Sequence, residues 1–412
     1  MKTVLIVAAG NSLSHLGKAL ALYTALRQQG FRALIAACGK YAPALERLEI
    51  PFLPVSDLPE TNRAAPPFPA ISWFAAPRSI SGCIREEIAL LERCRPDAVI
   101  GIFRFTLKAA AQNCGIPFYS LSCGCLLPEN DEPLGFPGGL QDSDRQRTNI
   151  DYFFRYAGSR IRQAAQRLGI SLRLDDAREM LRGRLTFLWD FPEFMPIKHQ
   201  RDLLHCGPID WHDWPYDEID YAAVPDRGKP LALVSFGTCN YSREVLTRTV
   251  DNLSALGYQV IFSTGWQTAT APRFSGRPGA VTGVGMLPLA KLLPFADLLV
   301  CHGGQLSIFA ALRARVPVLV IPFQPEQAHN ALCLERLGCG RSLVRPVLFH
   351  GRSDVYQRRL DELRDIEFQE QIQAFTGQPE LSRRLQDASQ ILRRYRGVES
   401  VVENLRRELG DA

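Results

Sequence analysis

Short apolar runs alternate with longer segments of helical periodicity in the first half of the chain. In the segment 16–30, apolar side chains recur every three or four positions and a glycine follows the last turn, which predicts an amphipathic helix. The apolar runs have the length and composition of buried strands in a parallel sheet. The predicted strands are 3–10, 32–38, 97–103 and 116–122, and the predicted helices are 16–30, 79–94 and 106–114.

The same alternation restarts after an irregular stretch, 207–230, which is rich in proline, aspartate and aromatic residues and is typical of a linker. Two such series predict two doubly wound, Rossmann-like α/β domains with ligands at the carboxyl ends of the strands. We expect an N-terminal acceptor-binding domain at 1–206, a C-terminal donor-binding domain at 231–378, and C-terminal helices at 379–412 that pack back toward the first domain. The later predicted strands are 230–237, 258–265, 296–304 and 316–323, and the helices are 242–256, 305–314 and 326–337.

The composition excludes several classes of protein. The chain has 412 residues, 46% of them hydrophobic, and a net charge of +5 without a block of lysine and arginine, so we expect no nucleic-acid partner. The mild positive charge leaves a peripheral membrane contact open. No run approaches the ~20 apolar residues that cross a bilayer, and the first residues lack the apolar core of a signal peptide. We therefore expect a cytoplasmic protein, and the oligomeric state cannot be predicted.

The cysteines do not indicate a metal site. There are 11, and only Cys123 and Cys125 lie close together, without a second pair at zinc-ligand spacing. Reduced cysteines of a cytosolic protein are the expected interpretation.

A possible anion site lies where the apolar run before His302 ends in Gly303 and Gly304, just as a helical pattern begins. The start of a helix presents unpaired backbone N–H groups and the positive end of its dipole, which together bind phosphate. The glycines allow the anion to approach the backbone, and His302 can donate one further hydrogen bond. On this feature alone, a tight turn that binds nothing is equally consistent with the sequence.

The residues that follow extend the motif. Val316 and Pro317 open the next strand, and the pairs Glu326-Gln327 and Asn330-Ala331 come after it. The block 302–340 resembles the donor-binding signature of nucleotide-sugar glycosyltransferases with the GT-B fold, and most closely glycosyltransferase family 1, the UDP-glycosyltransferase and antibiotic glycosyltransferase group. The segments 234–238 and 287–304 match in the expected order, and 10–31 is similar to the family's opening loop and helix.

The resemblance implies two domains that face each other across a cleft, and an inverting transfer of a sugar from a nucleoside diphosphate. The diphosphate leaving group gains negative charge, which preorganised donors stabilise. No metal ion and no cofactor besides the donor substrate are implied, and the sequence contains no Asp-X-Asp. Glu326 and Gln327 would hold the sugar hydroxyls. The donor-binding residues implied are Asn11, Gly237, Thr238, Met286, His302, Gly303, Gly304, Gln305, Ser307, Glu326 and Gln327.

His15 lies in the loop where the family places its general base. A histidine suits proton removal because its ordinary pKa is near ~6.5, so the rate is expected to rise with pH through that range. The chain departs from the family at three positions: Ile102 stands for the aspartate that orients the histidine, Ala310 for the glutamate that holds the ribose, and Met286 for an aromatic residue at the base. Some antibiotic-type members also lack that glutamate, so the donor nucleotide is UDP or TDP.

The acceptor is expected on the N-terminal domain. Candidate regions are 69–79, 103–105 and a long loop at 123–148. Four aromatic residues, Trp73, Phe74, Phe103 and Phe105, are candidates for an apolar pocket, although core packing explains them equally well. A small natural product or a lipid would fit such a pocket.

Two other functions remain open from the sequence. One is a non-catalytic GT-B protein that binds a nucleotide sugar or assists another transferase, which the missing aspartate and glutamate suggest. The other is a nucleotide-sugar epimerase, which shares the fold class but needs a pair of catalytic carboxylates. The N-terminal loops contain no clear pair of this kind.

Overall fold

The computed structural model of the chain describes nine ranges, and it divides the chain into two compact units. The first unit comprises Met1–Pro133, Ser143–Trp211 and Tyr395–Ala412, and the second comprises Leu134–Asp142 and His212–Arg394. The described ranges are 1–10, 12–38, 41–58, 74–136, 140–214, 228–237, 243–265, 280–345 and 363–410.

The first unit contains a parallel sheet in the order β3-β2-β1-β4-β5-β6-β7. Its strands bury most of their side chains, as expected for a sheet with both faces covered. The strands are β1 (Thr3–Ala8), β2 (Arg32–Ala37), β3 (Leu53–Pro54), β4 (Ala98–Ile102), β5 (Phe118–Ser122), β6 (Thr186–Leu188) and β7 (Leu203–His205). The helices are α1 (Leu13–Gln28), α2 (Ala42–Arg47), α3 (Pro77–Cys94), α4 (Leu107–Cys114), α5 (Leu140–Gln166) and, at the end of the chain, α12 (Val398–Leu409).

The second unit repeats this architecture with the strand order β10-β9-β8-β11-β12-β13, again parallel. The strands are β8 (Leu231–Ser235), β9 (Gln259–Ser263), β10 (Ala280–Val284), β11 (Leu298–Cys301), β12 (Val318–Val320) and β13 (Gly340–Ser342). The helices are α6 (Arg243–Ala255), α7 (Leu289–Leu292), α8 (Gln305–Ala314), α9 (Pro325–Arg336), α10 (Asp365–Thr376) and α11 (Leu381–Leu392).

In each sheet the strand order reverses between the first and the fourth strand. Ala8 of β1 pairs with Ile102 of β4, and Ser235 of β8 pairs with Cys301 of β11. Loops that leave the carboxyl ends of two such strands diverge to opposite faces, so a crevice opens between them where ligands of doubly wound sheets bind. The loops after β1 and β4, and after β8 and β11, therefore mark the candidate sites of the two units.

The C-terminal segment 379–412, expected to pack as one piece, is divided between the units. Helix α11 packs against α8, and Ser389 donates to the Arg313 carbonyl at 3.1 Å. Helix α12 belongs to the first unit, where it packs against α1 and buries Val401, Val402 and Leu405. Each helix has an apolar stripe for a different neighbour, and the chain turns between them at Gly397, which has φ +57°.

Several short elements escaped prediction. Strands β6, β7 and β13 have three residues each, too few to show a period, and strands β3 and β10 were also missed. The segment 123–148, expected as a loop, contains a 3₁₀ turn at Gly124–Leu126 and the beginning of α5 at Leu140. Within the described residues, none of the helices combines the length and the apolar character needed to cross a membrane.

Candidate functional site

The turn between β11 and α8 in the second unit requires glycine for two reasons. Gly303 has φ +91°, a conformation that side chains with a Cβ rarely adopt. A Cβ on Gly303 would also stand 2.7 Å from the carbonyl oxygen of Gln327, which is too close for any real contact. The sequence His-Gly-Gly therefore folds back tightly on the start of α9 before α8 begins at Gln305, with Gly304 as its N-cap residue.

The half-buried imidazole of His302 lies between two glycine backbones. A Cβ on Gly237, which follows β8, would stand 3.0 Å from Cε1 of His302, and a Cβ on Gly304 would stand 2.5 Å from Nε2. Since β8 and β11 are adjacent, the two loops at the reversal of strand order meet at this ring. The position of His302 is thus fixed by backbone atoms from both sides.

Two buried amides hold the turn in place. The Gln305 side chain donates from Nε2 to Oδ1 of Asn330 at 3.2 Å, and Nδ2 of Asn330 donates to the Gly303 carbonyl at 3.0 Å. Gln305 is only 5% exposed and Asn330 is fully buried. Of these two, sequence reasoning assigned only Gln305 to the donor. Their contacts support a role in positioning the turn.

The other predicted donor-binding residues differ in their exposure. Gln327 is buried, and its Oε1 accepts a hydrogen bond from the Phe323 backbone N–H at 2.8 Å, so its oxygen secures the loop before α9. Glu326, in the first turn of α9, is half-buried, as are Ser307 in the first turn of α8 and Met286 after β10. Thr238 and Asn11 lie outside the described residues.

The arrangement around α8 is suited to an anion. The helix has 10 residues, and its first backbone N–H groups have no intrahelical acceptor. These groups and the helix dipole provide a positive potential near the half-buried His302 and Ser307. A diphosphate held there would accept hydrogen bonds from the backbone, an imidazole and a hydroxyl. Within the described part of the chain, no group of three His, Cys, Asp or Glu side chains is placed to hold a metal ion.

In the first unit, His15 occupies the equivalent place after β1. It lies in the first turn of α1, whose N-cap residue, Ser12, accepts from the Ser14 backbone N–H. The imidazole is 8% exposed and stacks on Phe103, with 5.0 Å between ring centroids and 25° between ring planes. Burial first, and the nearby Lys18 second, lower the pKa of His15 to about 3. The expected titration near neutral pH is therefore wrong for the structure as it stands.

The predicted acceptor aromatics are not equivalent. Phe103 is half-buried, whereas Phe105 is 5% and Phe74 is 1% exposed. The rings of Phe74 and Phe105 meet edge to face at 5.5 Å, and Phe105 meets Phe103 in the same way at 5.2 Å. Phe103 can contact a ligand, while the other two support it from the core. Trp73 lies outside the described residues.

Sequence reasoning missed a buried ion network behind Phe103. Arg104 is 2% exposed; it donates to Glu87 at 2.6 Å, to Asp57 at 3.0 Å, and also to the carbonyl of Ser56. Asp57 in turn accepts from the backbone N–H of Gly10, at the end of β1. The only signal in the sequence was an arginine between two phenylalanines immediately after a predicted strand, because its partners are distant in the chain.

A second missed pair lies after β6 and β7. Asp190 is fully buried; its Oδ1 is 3.0 Å from Nδ1 of His205, and its Oδ2 accepts from the Gly124 N–H at 2.7 Å. The neighbouring Trp189 has its ring centroid 5.9 Å from that of His15. The polar groups at the carboxyl edge of this sheet therefore extend from His15 to His205.

Comparisons with known proteins agree with this geometry. The family model described as "Erythromycin biosynthesis protein CIII-like, C-terminal domain" matches residues 247–353. The NDP-glycosyltransferase YjiC of Bacillus licheniformis is 25% identical over 198 residues, which are 48% of this chain and 46% of that protein. The chain thus matches less than half the length of this relative. A PGL/p-HBAD biosynthesis rhamnosyltransferase of Mycobacterium bovis is 23% identical over 363 residues, 82% of this chain and 76% of that protein.

Solved structures show the same fold. The glycotransferase of kitacinnamycin has a TM-score of 0.72 at 18% identity, and 98% of each chain is covered. The glycosyltransferase VinC, solved in complex with dTDP, has a TM-score of 0.70 at 16% identity, and both chains are covered completely. The predicted pair of doubly wound α/β domains is confirmed as the GT-B fold. With the named relatives, it identifies the chain as a GT-B glycosyltransferase similar to glycosyltransferase family 1.

Proposed function

We propose that the chain transfers a sugar, with inversion, from a UDP- or TDP-linked donor to a hydroxyl group of a small natural-product or lipid acceptor. The donor would bind to the second unit and the acceptor to the first. The observation that carries the proposal is the position of His302, which is fixed between Gly237 and Gly304 at the start of α8.

The second unit would stabilise the leaving group. As the bond from the anomeric carbon to the diphosphate breaks, its electron pair moves to the phosphate oxygen. The N–H groups that begin α8, together with His302, are fixed before the reaction and can donate to this growing charge without reorganising. Glu326 is half-exposed near this turn, which supports contacts with the sugar hydroxyls.

The first unit would position the acceptor. His15 and Phe103 stack beside each other after β1 and β4, where a ligand of this sheet is expected. The imidazole can hydrogen-bond the attacking hydroxyl, and the half-buried Phe103 offers an apolar surface. The names of the relatives, one a PGL/p-HBAD biosynthesis rhamnosyltransferase and one a glycotransferase of kitacinnamycin, support an acceptor of the natural-product or glycolipid class.

We further propose that transfer takes place in the cytoplasm and without a divalent metal ion. The N-terminus of α8 and His302 supply a positive potential at the place where a metal would otherwise act. The alternatives of a non-catalytic binding protein and of an epimerase are less well supported, because the named relatives are transferases.

A two-stage experiment tests the proposal. Thermal shift and calorimetry with UDP, TDP, GDP and their sugars identify the donor, and mass spectrometry then detects sugar transfer to a panel of apolar hydroxylated acceptors in the presence of EDTA. We expect binding of one pyrimidine nucleotide and a product with inverted anomeric configuration by NMR. Donor binding without transfer to any acceptor would favour the non-catalytic alternative, and loss of activity in EDTA that Mg²⁺ restores would refute metal independence.

A further inference from the structure

The surroundings of His15 are aromatic and cationic. Phe103 stacks on one side of the ring, and Trp189 lies at 5.9 Å on the loop after β6. Trp189 also carries Lys18, whose Nζ is 4.4 Å from the centre of the tryptophan ring. Lys18 lies one helical turn after His15 and is only 2% exposed, so its charge is held near the imidazole in a region of low polarity.

The strand next to β1 supplies no carboxylate to His15. Strand β4 ends in Ile102, which is fully buried, and continues into Phe103 with φ +52°. This left-handed residue turns its aromatic ring toward the histidine.

The carboxylates of the neighbouring elements are bound by other groups. Beyond Phe103, Asp57 and Glu87 pair with Arg104. Beyond Trp189, Asp190 is bound to His205 and to the Gly124 N–H. Protonation of His15 would therefore place a second cation beside Lys18, and burial together with Lys18 lowers its pKa to about 3.

This environment is poorly suited to a general base. Removal of a proton from an aliphatic alcohol, whose pKa is about 16, like that of water, requires that the base accept the proton in the transition state. A neutral imidazole can instead donate one hydrogen bond through its N–H. An acceptor that is already ionised needs only such a donor.

We propose, on the basis of the function proposed above, that the acceptor is a phenol that reacts as its phenolate, and that His15 donates a hydrogen bond to the phenolate oxygen. The phenolic proton is lost to solvent. The oxygen then forms the bond to the anomeric carbon while the bond to the diphosphate breaks, and that electron pair leaves with the diphosphate. The ring of Phe103 provides an aromatic surface for such an acceptor, and the charge of Lys18 favours the anion.

A matched pair of acceptors tests this proposal: 2-naphthol and 2-naphthylmethanol, with the donor identified by calorimetry. The phenolic pKa is about 10, as for tyrosine. We expect kcat/KM for the naphthol to exceed that for the alcohol by about 100-fold or more, since His15 gives the alcohol no general-base assistance. With ring-substituted phenols of lower pKa, the rise of rate with pH should move down with the pKa of the acceptor.

Two variants examine the role of His15 itself. His15→Phe should lower the rate with naphthol about 10–100-fold, the value of a hydrogen bond to a charged group. His15→Gln, whose amide N–H can donate but cannot accept a proton as a base, should recover most of that loss without moving the pH profile. Circular dichroism of both variants checks the fold, and the acceptor comparison with the wild-type protein stands whether or not they fold.

The outcomes separate the two proposals. Equal or faster transfer to the alcohol refutes the phenol while sugar transfer itself stands, and so does a rate for several phenols that follows one common pKa. Loss of activity in His15→Gln as large as in His15→Phe refutes the donor role. No transfer to any acceptor refutes the proposed function, and the phenol proposal with it.

Discussion

The imidazole of His302 fits against the backbone of Gly304 so closely that a Cβ on Gly304 would stand 2.5 Å from its Nε2 atom. Gly304 has φ −67°, a conformation open to every residue, so the need for glycine here comes from the ring and not from the backbone. Gly237 meets the other side of the same ring from β8. The two glycines together leave the imidazole little freedom to turn.

Replacement of His302 should weaken nucleotide binding without unfolding the protein. In the proposed site His302→Ala removes one hydrogen bond to a charged phosphate, worth about 1.5–3 kcal/mol, so Kd for the nucleoside diphosphate should rise about 10–100-fold in calorimetry. His199→Ala, at an exposed histidine of the other unit, is the matched control and should not change Kd. An unaltered Kd in His302→Ala would contradict the assignment of the diphosphate to this turn.

Addition of one methyl group should have a similar effect. Gly304→Ala places a Cβ against His302, and since overpacking costs about 1–3 kcal/mol, either the ring or the start of α8 must move. We expect nucleotide affinity to fall about tenfold, measured by calorimetry beside the melting temperature. Gly82→Ala in α3 is the control, because a Cβ there meets nothing within 4 Å, and alanine should stabilise that helix slightly. Full affinity in Gly304→Ala would mean that the fit of His302 is irrelevant to the ligand.

The donor turn was predicted from local sequence because its chemistry is local. His302, Gly303 and Gly304 follow a strand and precede a helix, and the structure has this arrangement. The role of Gln305 could not be predicted in this way: its partner Asn330 is 25 positions away and belongs to α9. A polar residue in the first turn of a helix can face solvent, a ligand or a second helix, and only the packing decides among these.

The surroundings of His15 were less accessible to prediction for the same reason. Its position after β1 was visible in the sequence, but its pKa depends on burial and on Lys18. The helix pattern of α1 marks Lys18 as one turn away, yet a lysine at such a place is usually exposed. Here α1 packs against the sheet on one side and α12 on another, so even Lys18 is buried.

The Arg104 network should be a major contributor to the stability of the first unit. Arg104→Met leaves the buried Glu87 carboxylate without its charge partner, and loss of one partner of a buried pair costs about 3–5 kcal/mol. Chemical denaturation should show a clearly lower free energy of unfolding. Arg184→Met is the control: Arg184 pairs with Glu408 at 2.6 Å but is 63% exposed, so its loss should have little effect. Similar losses in the two variants would contradict the importance of burial.

The buried histidine should also make stability depend on pH. The pKa of His15 is about 3 in the folded protein and near ~6.5 in the unfolded chain. Between these values the unfolded chain binds a proton that the folded protein excludes, so this contribution to stability is complete above pH ~6.5 and is lost as the pH falls toward ~3. From pH ~7.5 to pH ~4.5 the loss from this one group is about 2–3 kcal/mol.

Because carboxylates and other histidines also titrate in this range, the measurement is a difference between variants. Urea unfolding of the wild-type protein and of His15→Gln, at pH ~7.5 and pH ~4.5, should show a smaller decrease of stability in the variant, by about the amount that one buried histidine contributes. His199→Gln, at an exposed histidine, should retain the decrease seen in the wild-type protein. If His15→Gln lost as much stability on acidification as the wild-type protein, His15 would not be held neutral by burial and Lys18, and the electrostatic basis for a phenolate acceptor would be removed.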